Sequence, residues 1–374
     1  METHQEILIN LMSFNTYNYN LNSLQFDLCA DYISSVFKEI GFSVELIDTE
    51  QGKIVIGKRI YNNQFPFVHF SGHYDVVPTN NNSKFGYDLN TKTFWGRGCS
   101  DMKGGIVSIW LACKKAIELD LKCNYSISFT PDEEIGGEIS NQYLLPNLIN
   151  FLPYYSTIII ADSSYPNIID SHRGAYWTEI EISIGMNNRF SKQKISAFQL
   201  MCENYNLFCK TPEFTDVIVG GICQSVNAFN ICPYIVMFSL DYRFDHPFRI
   251  EDVENWVNQH LSIINNKIKS RYPLHNIKMR WQSKLKIEPC ICTNDFSEHL
   301  DIVRKHISES QVKTGQGFYD LRYFRTAGFK NSFVLGPGII NNAHTVNEHL
   351  NENNIYDCSS VYLKIIKELE NENI

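Results

Sequence analysis

The stretch FPFVHFSGHYDVVPT, residues 65–79, decides the fold of this chain. Its first half is a run of apolar, aromatic and β-branched residues, which is typical of a strand buried in a sheet. A glycine turn follows and carries His73 and Asp75. Open α/β sheets place their sites at the carboxyl ends of the strands. The stretch therefore predicts an α/β fold with His73 at the functional edge of the sheet.

Further acidic and histidine residues follow other strand-like runs or glycine turns along almost the whole chain. Taken together, they would meet at one edge of a sheet if their strands are neighbours. They are Asp101 after GRGCS, the pair Glu133–Glu134 after YSISFTPD, Asp162 at the end of STIIIAD, and His344 in the loop after NSFVLGPG.

Two histidines and several carboxylates are what a pair of hydrolytic metal ions needs, with one carboxylate to spare as a proton shuttle. Asp101 has two oxygens that could bridge two metals, although an aspartate before a helix is often only an N-cap. Adjacent Glu133 and Glu134 on an irregular turn point in different directions, so one could bind metal while the other acts as general base and acid. A solvated acidic turn is the alternative. Each motif alone is ambiguous, and their combination favours a metal-dependent hydrolase.

The remaining histidines and cysteines favour structural roles. His69 lies inside the strand-like run and is expected in the core, and His349 is expected on a surface segment. Cys99 is expected to pack as a small buried residue. The 11 cysteines show no C-x-x-C pairs, so the sequence gives no zinc-finger signal.

Length and composition narrow the class of protein. The chain has 374 residues, 44% of them hydrophobic, and a formal net charge of −8. It has no basic stripe to neutralise phosphates, which argues against nucleic acid as a partner. It has no apolar run long enough to span a bilayer, and METHQEILINLM does not read as a signal peptide. We expect a cytoplasmic protein without a membrane partner.

Strand and helix patterns predict two domains. Helices are expected over 5–12 and 23–40, and strand–helix alternation runs to about residue 175 and resumes after about 290. Residues 176–286 instead read β-α-β-β-α-β, the order of the split, ferredoxin-like unit. We therefore predict a discontinuous α/β catalytic domain, residues 1–175 and 287–374, with an inserted ferredoxin-like α+β lid domain at 176–286.

The segments HYDVVP, GRGCSDMKGG, PDEEIGG and AHTVNE, in this order, resemble the signature segments of the dinuclear-zinc amidohydrolases and peptidases. That family includes acetylornithine deacetylase, succinyl-diaminopimelate desuccinylase, aminoacylase, the glutamate carboxypeptidases and several di- and tripeptidases. The resemblance covers nearly the whole chain. It implies a zinc-peptidase-like α/β catalytic domain with a lid, and two Zn²⁺ ions, for which Co²⁺ or Mn²⁺ can substitute.

Carried over position by position, the resemblance implies a role for each motif residue. Glu133 would be the general base for a metal-activated water that attacks an amide carbonyl, and Asp75 would orient His73. A cis, non-proline peptide bond would follow Asp101. One zinc would be held by His73, Asp101 and Asp162, and the other by Asp101, Glu134 and His344.

The resemblance also implies substrate contacts in the lid. NICP, residues 230–233, resembles a turn that brings Asn230 to the substrate, and LDYRF resembles the segment whose arginine, here Arg243, holds a substrate carboxylate. A guanidinium fork suits a carboxylate, although an exposed strand-end arginine is the alternative. The family's lid histidine, which stabilises the oxyanion across a dimer, is missing from ISIGMNNRFSKQKISAF (182–198). Arg189 could donate instead, or the lid could have lost this role and dimerisation with it.

Three functions follow in order of preference. The first is removal of a small acyl group from an N-acyl amino acid, because FVLGPGIINNAH resembles the acetylornithine deacetylase version of the last motif. The second is a di- or tripeptidase or carboxypeptidase, because aspartate at position 162 is typical of several peptidase members. The third is a non-catalytic binding protein, which would be expected to have lost a metal ligand or Glu133. The expected partners are the small substrate and a second copy bound through the lid.

Overall fold

The computed structural model describes residues 2–62, 64–79, 84–185, 195–224, 234–292 and 297–371. The chain divides into two compact units. The first comprises Met1–Ser171, Cys292–Gly315 and Tyr319–Ile374, and the second comprises His172–Ile291 and Gln316–Phe318.

The strands and helices alternate along much of the chain. The strands are β1 (Ser43–Thr49), β2 (Gly52–Arg59), β3 (Phe67–His73), β4 (Gly86–Asp88), β5 (Thr93–Trp95), β6 (Asn124–Thr130), β7 (Thr157–Ile160), β8 (Ile168–His172), β9 (Gly174–Ile184), β10 (Thr215–Gln224), β11 (Ile235–Phe244), β12 (Ile277–Ile287), β13 (Val312–Gly315), β14 (Ser332–Val334) and β15 (His349–Asn351). The helices are α1 (His4–Ser13), α2 (Tyr19–Glu39), α3 (Gly104–Glu118), α4 (Glu138–Ile149), α5 (Ala197–Phe208), α6 (Ile250–Arg271), α7 (Ser297–Arg304), α8 (Leu321–Thr326) and α9 (Glu352–Asn371).

The first unit is built on a mixed eight-stranded sheet in the order β1-β2-β6-β3-β7-β14-β8-β13. Its centre, β6-β3-β7-β14, is parallel. Strands β3, β6 and β7 are buried along their whole length, which explains their continuous apolar sequences. Helix α2 packs against β2, and α3 packs against α9. The predicted α/β fold class is confirmed.

A small three-stranded sheet, in the order β15-β5-β4, lies in the same unit. In it, His349 pairs with Trp95 and Asn351 pairs with Thr93, antiparallel. This short ladder joins β5, which precedes the turn of Asp101, to β15, which follows the loop of His344. It was not predicted, because three-residue strands leave no periodic pattern.

Several helix boundaries differ from the expected ones. Helix α2 begins at Tyr19, with a non-helical residue at Asn22, and the expected range of 23–40 corresponds to its regular part. It ends before Gly41, whose φ of 93° suits a glycine that terminates a helix. Helix α7 ends at Arg304, although the apolar spacing of EHLDIVRKHISES, residues 298–310, predicts a helix that continues to Ser310. A run of turns over 305–310 replaces its last part.

The second unit has an antiparallel sheet in the order β10-β11-β9-β12, with α5 and α6 in its two crossovers. The chain order is the predicted β-α-β-β-α-β. Alternate residues of β9 and β11 are buried, because only one sheet face packs in this unit's apolar core. That core includes Ile180 and Leu240 of the sheet and Val257 and Leu261 of α6. A lid function for this unit stays a prediction.

Among the helices of the described residues, none is long and apolar enough to cross a membrane.

Candidate metal centre

Four adjacent parallel strands bring the predicted residues to one edge of the large sheet. Strand β3 ends at His73, which is in register with Thr130 at the end of β6. Strands β7 and β14 run in the same direction beside them. The segments that follow these strands carry Glu133 and Glu134, Asp162 and His344. Because parallel strands end at a common edge, side chains distant in sequence converge there.

Asp101 reaches the same place from a π-helical turn, Cys99–Lys103, immediately before α3. The peptide bond between Asp101 and Met102 is cis, which confirms the bond implied by the resemblance. The residue at the N-cap position of α3 is Lys103 and not Asp101. The alternative interpretation of Asp101 as a simple N-cap is therefore wrong.

The carboxylate of Asp101 lies between the two histidines. Its Oδ1 is 3.3 Å from Nε2 of His73, and its Oδ2 is 3.2 Å from Nε2 of His344. Asp162 Oδ1 lies 3.8 Å from the same nitrogen of His73, and Glu134 Oε2 lies 3.0 Å from that of His344. The two oxygens of Asp101 thus face two separate groups of ligand types, as a bridging carboxylate would.

Glu133 lies beside this bridge. Its Oε2 is 4.0 Å from His73 Nε2, and the residue is 6% exposed. Burial raises the pKa of the Glu133 carboxyl well above its usual value, and the charges of Asp162 and Glu134 raise it further. Burial and the charge of Asp101 raise the pKa of Glu134 to about 7. A carboxyl whose pKa is shifted toward neutrality can both accept and donate a proton near neutral pH.

Asp75 holds three parts of the centre at once. Its backbone oxygen is 3.0 Å and its Oδ1 is 3.3 Å from Nδ1 of His73. The backbone N–H groups of Glu133 and Glu134 donate to its Oδ1 and Oδ2, at 3.2 and 3.0 Å. The carboxylate therefore lies where it can orient His73, and it also fixes the turn that presents the two glutamates.

The surrounding carboxylates favour the protonated form of both histidines of the centre. Burial opposes protonation of His344, but its hydrogen bonds to Asp101 and Glu134 raise its pKa to about 11. Burial likewise opposes protonation of His73, but Asp101, Asp162 and Asp75 raise its pKa well above the usual value. The clustered carboxylates thus favour the binding of cations, and divalent metal ions would displace the protons of the two histidines on binding.

The residues present fit divalent metal ions. Three buried atoms of this centre have no hydrogen-bond partner within the described residues: His73 Nε2, Glu133 Oε1 and Glu134 Oε1. One ligand atom from each of His73, Glu133 and Asp162 lies within 4.8 Å of the others, and the same holds for His73, Asp101 and Glu134. Imidazole nitrogens together with carboxylate oxygens suit Zn²⁺, and also Co²⁺ or Mn²⁺.

His344 differs from the other residues of the centre because its side chain is 55% exposed. Its backbone has a φ of 61°, a left-handed conformation that histidine adopts more readily than most residues. It lies on the loop between β14 and β15, at the open side of the cluster. The same loop ends in Glu348, a buried acid that was not predicted, although it lies within the AHTVNE motif.

The substrate residues predicted for the inserted segment have different outcomes. Arg189 and Asn230 lie outside the described residues. Arg243 lies in the second unit, where its Nε and Nη2 donate to Asp241 at 2.8 and 2.9 Å. The guanidinium also lies over the ring of Phe318, 5.2 Å from its centre. Its Nη1 is buried without a hydrogen-bond partner in the described part of the chain, so Arg243 is not an exposed strand-end arginine.

Three residues expected outside the centre lie where they were predicted. His69 is fully buried in β3, with its ring nitrogens 2.9 Å from the hydroxyls of Ser126 and Ser128. His349 is exposed, and Cys99 is buried.

Comparison with known families identifies the protein family to which this centre belongs. The profile of peptidase family M20/M25/M40 matches residues 69–368, which include every residue of the cluster. The chain belongs to this family. Membership confirms the resemblance that the sequence motifs carry, and it makes the M20 protein a hydrolase of amide and peptide bonds.

Individual relatives of this M20 protein are distant but match over most of their length. It is 25% identical to succinyl-diaminopimelate desuccinylase of Blochmanniella floridana, over 91% of this chain and 93% of the relative. It is 24% identical to the protein of the same name from Aliarcobacter butzleri, with the same coverage. The structure of human carnosine dipeptidase 1 matches with a TM-score of 0.79 and 15% identity, covering 98% of this chain and 97% of that one. The last likeness establishes the fold.

Proposed function

We propose that this M20 hydrolase removes a small acyl group from an N-acyl amino acid and depends on two divalent metal ions, Zn²⁺ first among them. The observation that carries the proposal is the position of Asp101 between His73 and His344. Glu133 and Glu134 lie beside it, each with a buried oxygen that has no hydrogen-bond partner in the described residues. That arrangement suits two ions that share a carboxylate, with a second carboxylate left for proton transfer.

His73, Asp101 and Asp162 would hold one ion, and Asp101, Glu134 and His344 the other. When bound, such a pair polarises the substrate carbonyl and lowers the pKa of a water molecule.

Glu133 then serves as the proton carrier. It takes a proton from the attacking water and returns it to the leaving nitrogen of the amide, so that no net proton is consumed by the protein. Its burial favours this role, because a carboxyl in a dry environment holds a proton more readily than one in water. The carboxylate of Asp75 keeps Glu133 in place, because it accepts a hydrogen bond from the backbone N–H of Glu133.

The substrate class is proposed from the relatives and from the residues of the second unit. The two curated relatives are desuccinylases by name, which supports an N-acyl amino acid. Arg243 would bind the substrate carboxylate through Nη1, which has no partner in the described residues. Asn230 would approach the substrate, and Arg189 would donate to the oxyanion in place of the family's lid histidine. Dimerisation through 176–286 is part of the same proposal.

A di- or tripeptidase, or a carboxypeptidase, is the second candidate, and the observation in its favour is Asp162. Aspartate at this position is typical of several peptidase members of the family. The catalytic residues would keep the same roles, since both reactions cleave a C–N bond next to a carbonyl.

A mass-spectrometric hydrolysis screen separates the two candidates. Zinc-loaded protein is incubated with N-acetyl, N-formyl and N-succinyl amino acids and with a panel of dipeptides, and the products are identified. Release of a small acyl acid supports the proposed function. Cleavage of the dipeptides alone contradicts it in favour of the second candidate.

Two controls tie any activity to the centre. A chelator should abolish turnover, and added Zn²⁺ should restore it. Glu133→Gln keeps the shape of the side chain but cannot carry a proton as a carboxylate does, so kcat should fall by about 10²- to 10⁴-fold. Turnover that survives both treatments would assign the activity to another site or a contaminant.

A further inference from the structure

Glu348 is a buried acid outside the set of metal ligands. It is 2% exposed and lies four residues after His344, immediately before β15. A carboxylate at this depth needs several donors to offset its lost hydration, and the identity of its donors shows what it does.

Three of the donors are backbone amides of the turn that carries Asp101. Oε1 of Glu348 accepts hydrogen bonds from the N–H groups of Gly98, Ser100 and Asp101, at 3.0, 2.9 and 3.1 Å. One oxygen thus gathers three amides of a four-residue stretch. It holds the backbone of Asp101 itself, so the position of the bridging carboxylate depends on this contact.

The other oxygen pairs with a cation of the same turn. Nη1 of Arg97 donates to Oε2 of Glu348, and Nη2 of Arg97 donates to the backbone oxygen of Thr345 at 3.3 Å. Thr345 is next to His344. Arg97 therefore bonds to both ends of the segment 345–348, and it limits how far His344 can move relative to the Asp101 turn.

The backbones of the two segments are also joined. The N–H of Gly96 donates to the backbone oxygen of Glu348 at 2.9 Å, and the ladder between β5 and β15 continues from this point. Side chain, backbone and sheet together hold the segment of His344 against that of Asp101. The gap that they control is the 3.2 Å between His344 Nε2 and Asp101 Oδ2.

We propose that Glu348 is a positioning residue for the metal centre: by binding the amides of the Asp101 turn, it sets the spacing of Asp101 and His344 to which the second metal ion binds. The inference rests on the proposed metal-dependent function. Partners that hold metal ligands in place typically account for about 10- to 100-fold in metal affinity or activity when they are removed.

Glu348→Gln tests the proposal with little change in shape. Glutamine has one oxygen and one NH₂ group, so if its oxygen keeps the three amides, its NH₂ faces the donor Arg97. If its oxygen instead accepts from Arg97, its NH₂ faces the three amide donors. Both orientations therefore lose part of the contact. Stepwise Zn²⁺ affinity of the metal-free protein is measured by competition with a chromophoric chelator, together with kcat and KM. We expect one of the two Zn²⁺ sites, the one that uses His344, to lose about 10- to 100-fold in affinity.

Glu352→Gln is the matched control. Glu352 is the first residue of α9 and is also a buried acid, 4% exposed. It accepts hydrogen bonds from Gln5 and Tyr87 and lies 2.7 Å from Nε2 of His4. No metal-ligand turn is among these partners. It therefore reports the general effect of neutralising a buried acid, and both Zn²⁺ affinities should stay within about threefold of the parent protein.

The outcomes separate this proposal from the function on which it rests. A parent protein that binds no Zn²⁺ refutes the proposed function. A parent that binds two ions, with Glu348→Gln equal to it or with Glu352→Gln equally impaired, overturns only the role of Glu348. If Glu348→Gln does not fold, Glu348→Asp, which keeps the charge but withdraws it by one methylene, should show the same loss of Zn²⁺ affinity. Failure of both variants to fold, with Glu352→Gln folded, would show a role in the fold and overturn the proposal.

Discussion

Gly338 lies in the GPG turn after β14, where the backbone passes very close to the Asp101 turn. A Cβ atom built at this position would lie 2.0 Å from the backbone oxygen of Ser100 and 2.5 Å from Oγ of Ser163. The residue has no left-handed φ, so Gly338→Ala introduces crowding without a backbone penalty of its own.

The size of the effect follows from these distances. Nonbonded carbon atoms pack at about 3.5–4.0 Å, so relief of the 2.0 Å contact requires a shift of roughly 1 Å or more. The atom that must move belongs to the residue before Asp101. A displacement of about 1 Å in a catalytic group can cost about 10²-fold in rate. Overpacking of this kind typically destabilises by about 1–3 kcal/mol. We therefore expect kcat/KM of Gly338→Ala to fall by about 10²-fold in a protein that still folds.

Gly317→Ala is the control, because a Cβ there would have no heavy atom within 4 Å. Both variants are assayed with the substrate found in the hydrolysis screen, with zinc content and thermal unfolding measured alongside. If Gly338→Ala keeps kcat/KM within about threefold of Gly317→Ala, the close packing of the GPG turn on the Asp101 turn does not position the catalytic centre and the reasoning is wrong.

Three further predictions concern other parts of the first unit. Asp75→Asn should reduce kcat/KM by about 10- to 100-fold, because an amide cannot accept both the Glu133 and Glu134 N–H groups and still face His73; steady-state kinetics equal to the parent's would contradict this. Burial lowers the pKa of His69 to about 3, so the stability that it contributes is complete above pH 6.5 and is lost as the pH falls toward 3. Between pH 7.5 and 5.0 the free energy of unfolding of the parent, measured with urea, should fall by about 2 kcal/mol more than that of His69→Gln. Equal decreases in the two proteins would refute this prediction. Zn²⁺ at about 100 times the dissociation constant of each site should raise the free energy of unfolding by about 2.7 kcal/mol for each bound ion, and a melting temperature that does not respond to Zn²⁺ or chelator would count against the metal centre.

The parts of the centre that could be predicted are those that follow buried parallel strands. The apolar run before His73 and the run before Asp162 each predict a central strand, and the carboxyl ends of such strands share an edge. The placement of these residues at the carboxyl edge of the sheet therefore follows from the sequence. The order of the strands does not, because nothing in either run indicates which neighbour it will pair with.

Other features depend on contacts that leave no local pattern. Helix α4 contains Pro146 in its interior, and a proline at such a position disfavours the prediction of a helix. The end of α7 at Arg304 has no signal in the local sequence, since the apolar spacing continues beyond it. Glu348 lies at the end of the last motif, and only the fold shows that it reaches the amides of the Asp101 turn.

The central claim is that Asp101 bridges two metal ions, and zinc stoichiometry tests it most directly. Metal-free parent protein and Asp101→Asn are dialysed against a defined concentration of free Zn²⁺, and the bound metal is measured by elemental mass spectrometry together with the protein concentration. The account predicts two ions per chain in the parent and at most one in the folded Asp101→Asn variant. A parent protein that holds fewer than two ions at saturating Zn²⁺, or a variant that holds as many as the parent with the same affinities, would contradict it.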